Sequence, residues 1–309
     1  MPQMTASQAR IIDPILTGLV LGYKNAAYVG EALFPRVSVG QRAGKIVQFN
    51  KEDWRLPNSR RAPGTKVGTV DVNYGNNQYA LEDHNLDGKV PIELMQEANA
   101  VPHINLQKRA INKVQRQLST RLEFDQAALA RTAGNYGAQI ITYNGASSWK
   151  NAAATPINDV LNARNVVQAS IGVFPNTLVL SNDAYVALQE HQTLIDRLKY
   201  TSADSVTVEL IARLMQVEKV VVAAALYTDD SGVSQKIWGQ DAILAYVAQG
   251  AEDNEEPSYG FTYTLNGYPN AEESWYDRDV KSWRCPYNDC RAPQLTGIAG
   301  GYLLQNAGQ

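Results

Sequence analysis

Asn58–Gln78 reads NSRRAPGTKVGTVDVNYGNNQ. Its three glycines and four asparagines, with no Leu, Ile, Phe or Met, argue for a loop. Val70, Val72 and Tyr74, however, alternate with polar residues, which is the period of a strand. Upstream, GKIVQFNKEDW (Gly44–Trp54) supplies an outgoing strand, and the polar tip PNSRRAPGT (Pro57–Thr65) joins the two. Residues 40–90 therefore read as one long β-ribbon. A two-stranded ribbon is marginal in water and leaves its edges unpaired. It has to lie against the body of its own chain or against another molecule, and that choice governs the rest of the reading.

Ahead of the ribbon, residues 1–39 carry small apolar groups (Ile11, Ile12, Ile15 and Leu16, then Leu33 and Phe34) broken by Pro14, Gly18, Gly22, Gly30 and Pro35. This pattern suits an extended arm with one short helix. Behind the ribbon the texture changes. In NLQKRAINKVQRQLSTRLEFDQAALARTAGN, Ile111, Val114, Leu118, Leu122 and Leu129 follow helical spacing, with Asn105 as the N-cap and Gly134-Asn135 as the stop. At 1.5 Å per residue the helix is about 40 Å long, more than a compact domain usually needs.

Further on, Thr155-Pro156 opens a second helix to Ile171, NTLVLSN is a short buried strand, and DAYVALQEHQTLIDRLKY reads as one amphipathic helix with Tyr185, Leu188, Ile195 and Leu198 inward. TVELIARLMQVEKVVVAAALY passes from helix into an unbroken apolar strand, the form of a central position in a sheet. SYGFTYTL alternates, with Tyr259, Phe261 and Tyr263 on one face, and Asn266-Gly267 is a hairpin-type turn. Residues 294–306 form a closing strand. Helices and strands are mixed rather than strictly alternating, which favours an α+β fold.

Composition bounds the chemistry. The 309 residues are 44% hydrophobic and 19% charged, ordinary for a folded protein, and the net charge of -3 argues against a dedicated nucleic-acid binder while permitting one basic face. The apolar run PILTGLVLGY is too short to span a bilayer, so no membrane role is expected. Cys285 and Cys290, in CPYNDC, are too few for a disulfide framework or a zinc site; they read as ordinary thiols or a local bridge. His84, His103 and His191 lack paired ligand spacing. GQRAGKI (Gly40–Ile46) imitates a phosphate loop, but it is one residue short between its glycines, puts Ile46 where Ser or Thr should hold magnesium, and precedes a strand instead of a helix. Neither a catalytic set, a cofactor site nor a metal site is expected.

Two basic features remain. Arg60, Arg61, Pro63 and Gly64 sit at the ribbon tip, as a solvated turn or as anchors reaching an acidic neighbour. Arg109, Lys113, Arg116 and Arg131 lie opposite the apolar stripe of the long helix, with only Glu123 and Asp125 offsetting six basic residues between 107 and 131. This is either a solvated face or one presented, in many copies, to a polyanion. Arm and ribbon together suggest a chain incomplete as a monomer, its first ninety residues finding their partners on sister copies.

The order of phrases then carries a resemblance. ALFPRVSVGQRAGKIVQF, SRRAPGTKVG, YALEDHNLDGKVP, the long helix, FPNTLVLSNDAYVALQEH, IWGQDAILAYV, EPSYGFTYT and GIAGGYLL resemble, in that order and over nearly the whole chain, the major capsid proteins of tailed double-stranded DNA bacteriophages. That family shares its fold with encapsulins and the herpesvirus capsid floor. The resemblance implies an N-terminal arm at 1–39, an extended loop at 40–90 lying over the adjacent subunit, a peripheral domain at 91–164 and 271–309 containing the spine helix, and an axial domain at 165–270. It implies self-assembly into hexamers and pentamers of an icosahedral virion shell, built in the host cytoplasm, with the spine helix toward a lumen holding DNA. Arg60, Arg61, Pro63 and Gly64 would then be intersubunit contacts. With no long region ahead of the arm, a separate scaffolding protein is expected, or a chain supplied in already processed form, with a portal and, where one is used, a decoration protein as further partners. No Lys–Asn cross-link pair is assigned. The competing readings are an encapsulin-like nanocompartment and, more remotely, an enzyme with an intersubunit site.

Overall fold

A computed structural model describes residues 28–45, 60, 78–99, 105–198, 206–248 and 258–309. In chain order the first half contains β1 (Arg36–Val39), β2 (Ala43–Lys45), β3 (Gln78–Ala80), β4 (Glu82–Pro91), α1 (Ile92–Asn99), α2 (Leu106–Arg131), β5 (Ile140–Thr142) and α3 (Pro156–Ile171). There follow β6 (Thr177–Ser181), α4 (Asn182–Glu190), α5 (Gln192–Leu198), α6 (Val208–Met215), β7 (Lys219–Ala223), β8 (Leu226–Thr228), β9 (Ser234–Lys236) and β10 (Ala242–Ala245). The chain closes with β11 (Gly260–Leu265), β12 (Asn270–Ala271), β13 (Trp275–Asp277), β14 (Ser282–Leu295) and β15 (Gly301–Gln305). The architecture is α+β, as the mixed order of elements indicated.

The helices begin and end where their residues dictate. The Asn105 side chain accepts from the Lys108 amide at 2.9 Å and caps α2. Pro156 opens α3, and Gly172, at φ 75°, ends it in the left-handed conformation. The expected single helix over 183–200 is instead two. His191 is extended at φ −72° and ψ 124°, its backbone out of the helix, and its Nδ1 accepts from the Thr193 amide at 3.3 Å to start α5. An imidazole that caps interrupts a periodicity that otherwise runs on. Ala184, Ala187, Leu188 and Leu194 face the core, whereas Tyr185 and Ile195 are only half-buried.

One five-stranded sheet, in the order β5-β15-β10-β6-β7, has both faces covered. Leu178, Leu180, Leu244 and Leu304 join Trp149, Val160, Leu188 and Ile211 on the helical side, while Val179, Ile243 and Leu303 join Phe34, Ala130, Trp238 and Tyr259 on the other. This explains a misreading. β7 is apolar because it is sandwiched, yet within the described residues it pairs only with β6, in parallel, and is an edge strand rather than a central one.

The second sheet is built on β14, which pairs antiparallel with β4 along one side and with β11, β12 and β13 along the other. This central strand is absent from the sequence reading because Pro286 and Pro293 demote any run that contains them. The register shows how they are tolerated: Pro286 falls between the partners of β12 and β13, and Pro293 lies beyond Arg291, where β4 pairing has ended. β11 likewise alternates in residue type without alternating in burial, since Thr262 and Thr264 are as enclosed as Phe261 and Tyr263. The Asn266-Gly267 turn closes no hairpin: β11 and β12 both pair with β14. β4 and β11 ladder on β14, and β15 ladders on β10.

The expectation that the first ninety residues lean wholly on sister copies is corrected for the described part. Leu33 and Phe34 are fully buried in the chain's own core, and β1 pairs in parallel with β11. Phe34 and Leu33 are simply too apolar to leave exposed when a groove beside Tyr259 accepts them.

Candidate assembly surfaces

The ribbon is rooted on the body. β2 and β3 pair antiparallel from Ala43↔Ala80 to Lys45↔Gln78, and Tyr79 stacks on Tyr263 with ring centroids 4.7 Å apart and planes 16° apart. Gly44 is required there: a Cβ would sit 2.8 Å from the Tyr79 ring. Val37, Phe261 and Tyr263 complete the apolar seat under Tyr79. Of the tip residues singled out in the sequence, Arg60 is exposed, while Arg61, Pro63 and Gly64 lie outside the described residues.

The basic face of the long helix divides. Arg109, Lys113 and Arg116 are all exposed, and at 100° per residue they fall within about 60° of arc. Arg131 departs from them. Its Nε donates to Asp241 at 2.6 Å and its Nη1 to the Ile237 carbonyl at 3.0 Å, so its charge is committed to the body. Neither acid counted as an offset is available to the row, although Glu123 lies within about 20° of Arg116 in helical azimuth. Asp125 pairs with Arg121 one turn earlier, and Glu123 is 2% exposed. The row is therefore more purely cationic than the sequence tally implies.

Glu123 is the polar centre that sequence reasoning missed. Its carboxylate accepts from the Val29 amide (2.8 Å), the Gly30 amide (2.9 and 3.1 Å) and the Trp238 indole Nε1 (2.6 Å). Burial raises its pKa, against the lowering effect of those three donors. One turn on, Gln126 Nε2 donates to Thr262 Oγ1 at 2.8 Å, and that hydroxyl donates to the Phe34 carbonyl at 3.1 Å. One turn back, the Tyr28 and Thr120 hydroxyls lie 2.7 Å apart. Thr120, Glu123 and Gln126 thus hold residues 28–34 along the helix. The available signal was polar residues at 123 and 126 interleaved with Leu122, Ala127 and Ala130 on one helix face.

The cysteines are free and buried on β14, five residues apart and so on opposite faces, about 16 Å apart along the strand; a bridge between them would need Cα atoms within about 7 Å. Among the described residues no group of three His, Cys, Asp or Glu side chains could hold a metal ion. No helix of the described residues is long and apolar enough to cross a membrane.

The fold is that of a viral shell subunit. The capsid protein of cyanophage P-SCSP1u superposes with a TM-score of 0.56 at 12% identity, covering 99% of this chain and 92% of that one, which shows the fold alone. A phage-related protein from Bordetella bronchiseptica RB50 is nearer, with a TM-score of 0.83 and 37% identity over 97% of this chain and 99% of that one. The family model described as phage major capsid protein E matches residues 134–256. The major capsid protein of Burkholderia phage BcepMu is 32% identical over 304 residues, 96% of this chain and 97% of that protein. The chain belongs to the phage major capsid protein family and is a structural subunit of the virion shell.

Proposed function

We propose that this subunit self-assembles into the hexamers and pentamers of an icosahedral shell around packaged double-stranded DNA, without catalysing a reaction. In this reading the loop at 40–90 reaches a neighbouring subunit from its β2–β3 root, and Arg60, Arg61, Pro63 and Gly64 make the contact. The peripheral part centres on α2 and the β14 sheet, and the axial part on the five-stranded sheet with α3 to α6. Assembly takes place in the host cytoplasm with a separate scaffolding protein, a portal and, where one is used, a decoration protein. The observation that carries the reading is the ribbon root: β2 and β3 are zipped together and seated on Tyr263, as a projecting element needs. The same fold serves nanocompartments, but the two named relatives above 30% identity are a phage major capsid protein and a phage-related bacterial protein.

Electron microscopy of material purified from cells that make this chain together with its scaffolding protein and portal is the test. Closed particles that protect DNA from nuclease are expected; particles holding a co-purified enzyme instead would favour the nanocompartment, and a solitary compact monomer under those conditions would overturn both. The exposed row is assigned to the lumen and to DNA phosphates. Replacing Arg109, Lys113 and Arg116 by Gln is expected to leave shell closure intact while lowering DNA retention. The log–log salt slope of binding should shrink by about 0.9 for each phosphate no longer neutralised. Equal impairment of closure and retention would place the row between subunits.

A further inference from the structure

Most buried carboxylates face a cation. Glu123 instead faces three N–H donors, two of them the successive amides where the chain's first described residues join the body. The fit is close on every side. A Cβ on Gly30 would meet Gln126 Oε1 at 1.9 Å and Glu123 Oε2 at 2.8 Å, so the backbone at residue 30 can approach only as glycine. Trp238, itself 2% exposed, donates to the same carboxylate oxygen as Val29, from a segment whose Ile237 carbonyl and Asp241 carboxylate hold Arg131. The support is rigid, because α2 spans 26 residues and is anchored on the core by Ile111, Val114, Leu118 and Leu122.

We propose that Glu123 is a positioning residue for assembly: its carboxylate fixes the angle at which the N-terminal segment leaves the body, and a subunit without it folds but closes shells poorly. The inference rests on the shell reading above. Its basis is that the chain joins the body at residues 29–30, where its direction is set by hydrogen bonds to one buried carboxylate. Buried apolar contacts of Leu33 and Phe34 keep the segment docked, but they resist rotation about residues 29–30 weakly, since apolar burial is not directional. Three hydrogen bonds to one carboxylate supply the direction.

The test is Glu123→Gln. The amide keeps one oxygen for the Val29 and Trp238 donors but sets an N–H against that of Gly30. Hydrogen exchange at the amides of 28–34 should quicken at least tenfold, with 177–181 unchanged, and the yield of closed particles should fall at least tenfold. Faster exchange with an undiminished yield would overturn the proposal. So would unchanged exchange at 29–30, or exchange that quickens throughout, which would make Glu123 a fold residue only. The parent chain run alongside separates the two readings: no shells from the parent counts against the shell assignment itself.

Discussion

Arg291→Ala is expected to destabilise the folded subunit by about 3–5 kcal/mol, the usual cost of breaking a buried ion pair from one side. Arg291 is 1% exposed and Asp289 is fully buried; the guanidinium pairs with that carboxylate through Nη1 and donates through Nη2 to the Leu118 carbonyl of α2. Truncation would leave the buried Asp289 charge with only the more distant Arg36, at 3.9 Å, and would cut the polar tie between β14 and the long helix. Burial lowers the Arg291 pKa in spite of the adjacent Asp289, and replacing a buried ion pair by apolar residues of similar volume often costs little stability. The double change Arg291→Met with Asp289→Leu should therefore recover most of the stability. The shift in denaturant midpoint of unassembled subunits measures both, and a single-mutant cost under about 1 kcal/mol would show that the pair is dispensable.

Deleting residues 56–66 should abolish closed particles while leaving the body folded. Both strands of the root, and the Tyr79–Tyr263 stack that seats them, lie outside the deletion. The strands that form the two large sheets among the described residues, and the buried residues around Trp149 and Phe34, lie at positions outside the deletion. Thermal unfolding should consequently change little, whereas sedimentation should find no shell-sized species. Normal particles from the deleted chain would remove the ribbon from the assembly contacts altogether.

The legible part of this fold was whatever local chemistry decides. The Asn105 cap, the Thr155-Pro156 start and the stripe from Ile111 to Leu122 follow directly from residue type and spacing, and all three stand in the structure. What long-range pairing decides was hidden. β14 is interrupted by prolines that only the register of its neighbours excuses, and β7 looks central because helices and core cover both its faces. The docking of 28–39 depends on β11 and α2, more than 80 residues away in sequence, and nothing in the small apolar groups of the arm announces it. For the candidate surfaces, the row Arg109–Lys113–Arg116 was legible as helical spacing. The removal of Arg131 was not, because Asp241 is a partner 110 residues distant.

The placement of β14 and β15 has a consequence for how the protein is made. Both are interior strands, one in each large sheet, and both come after residue 281. Neither sheet is complete until these strands have been made, and at about 5–20 residues per second the nascent chain waits many seconds between β4 and its partner β14. A product terminated before residue 282 would lack the strand on which β4, β11, β12 and β13 all pair, and so would be a substrate for proteolysis rather than a defective tile able to enter a growing lattice.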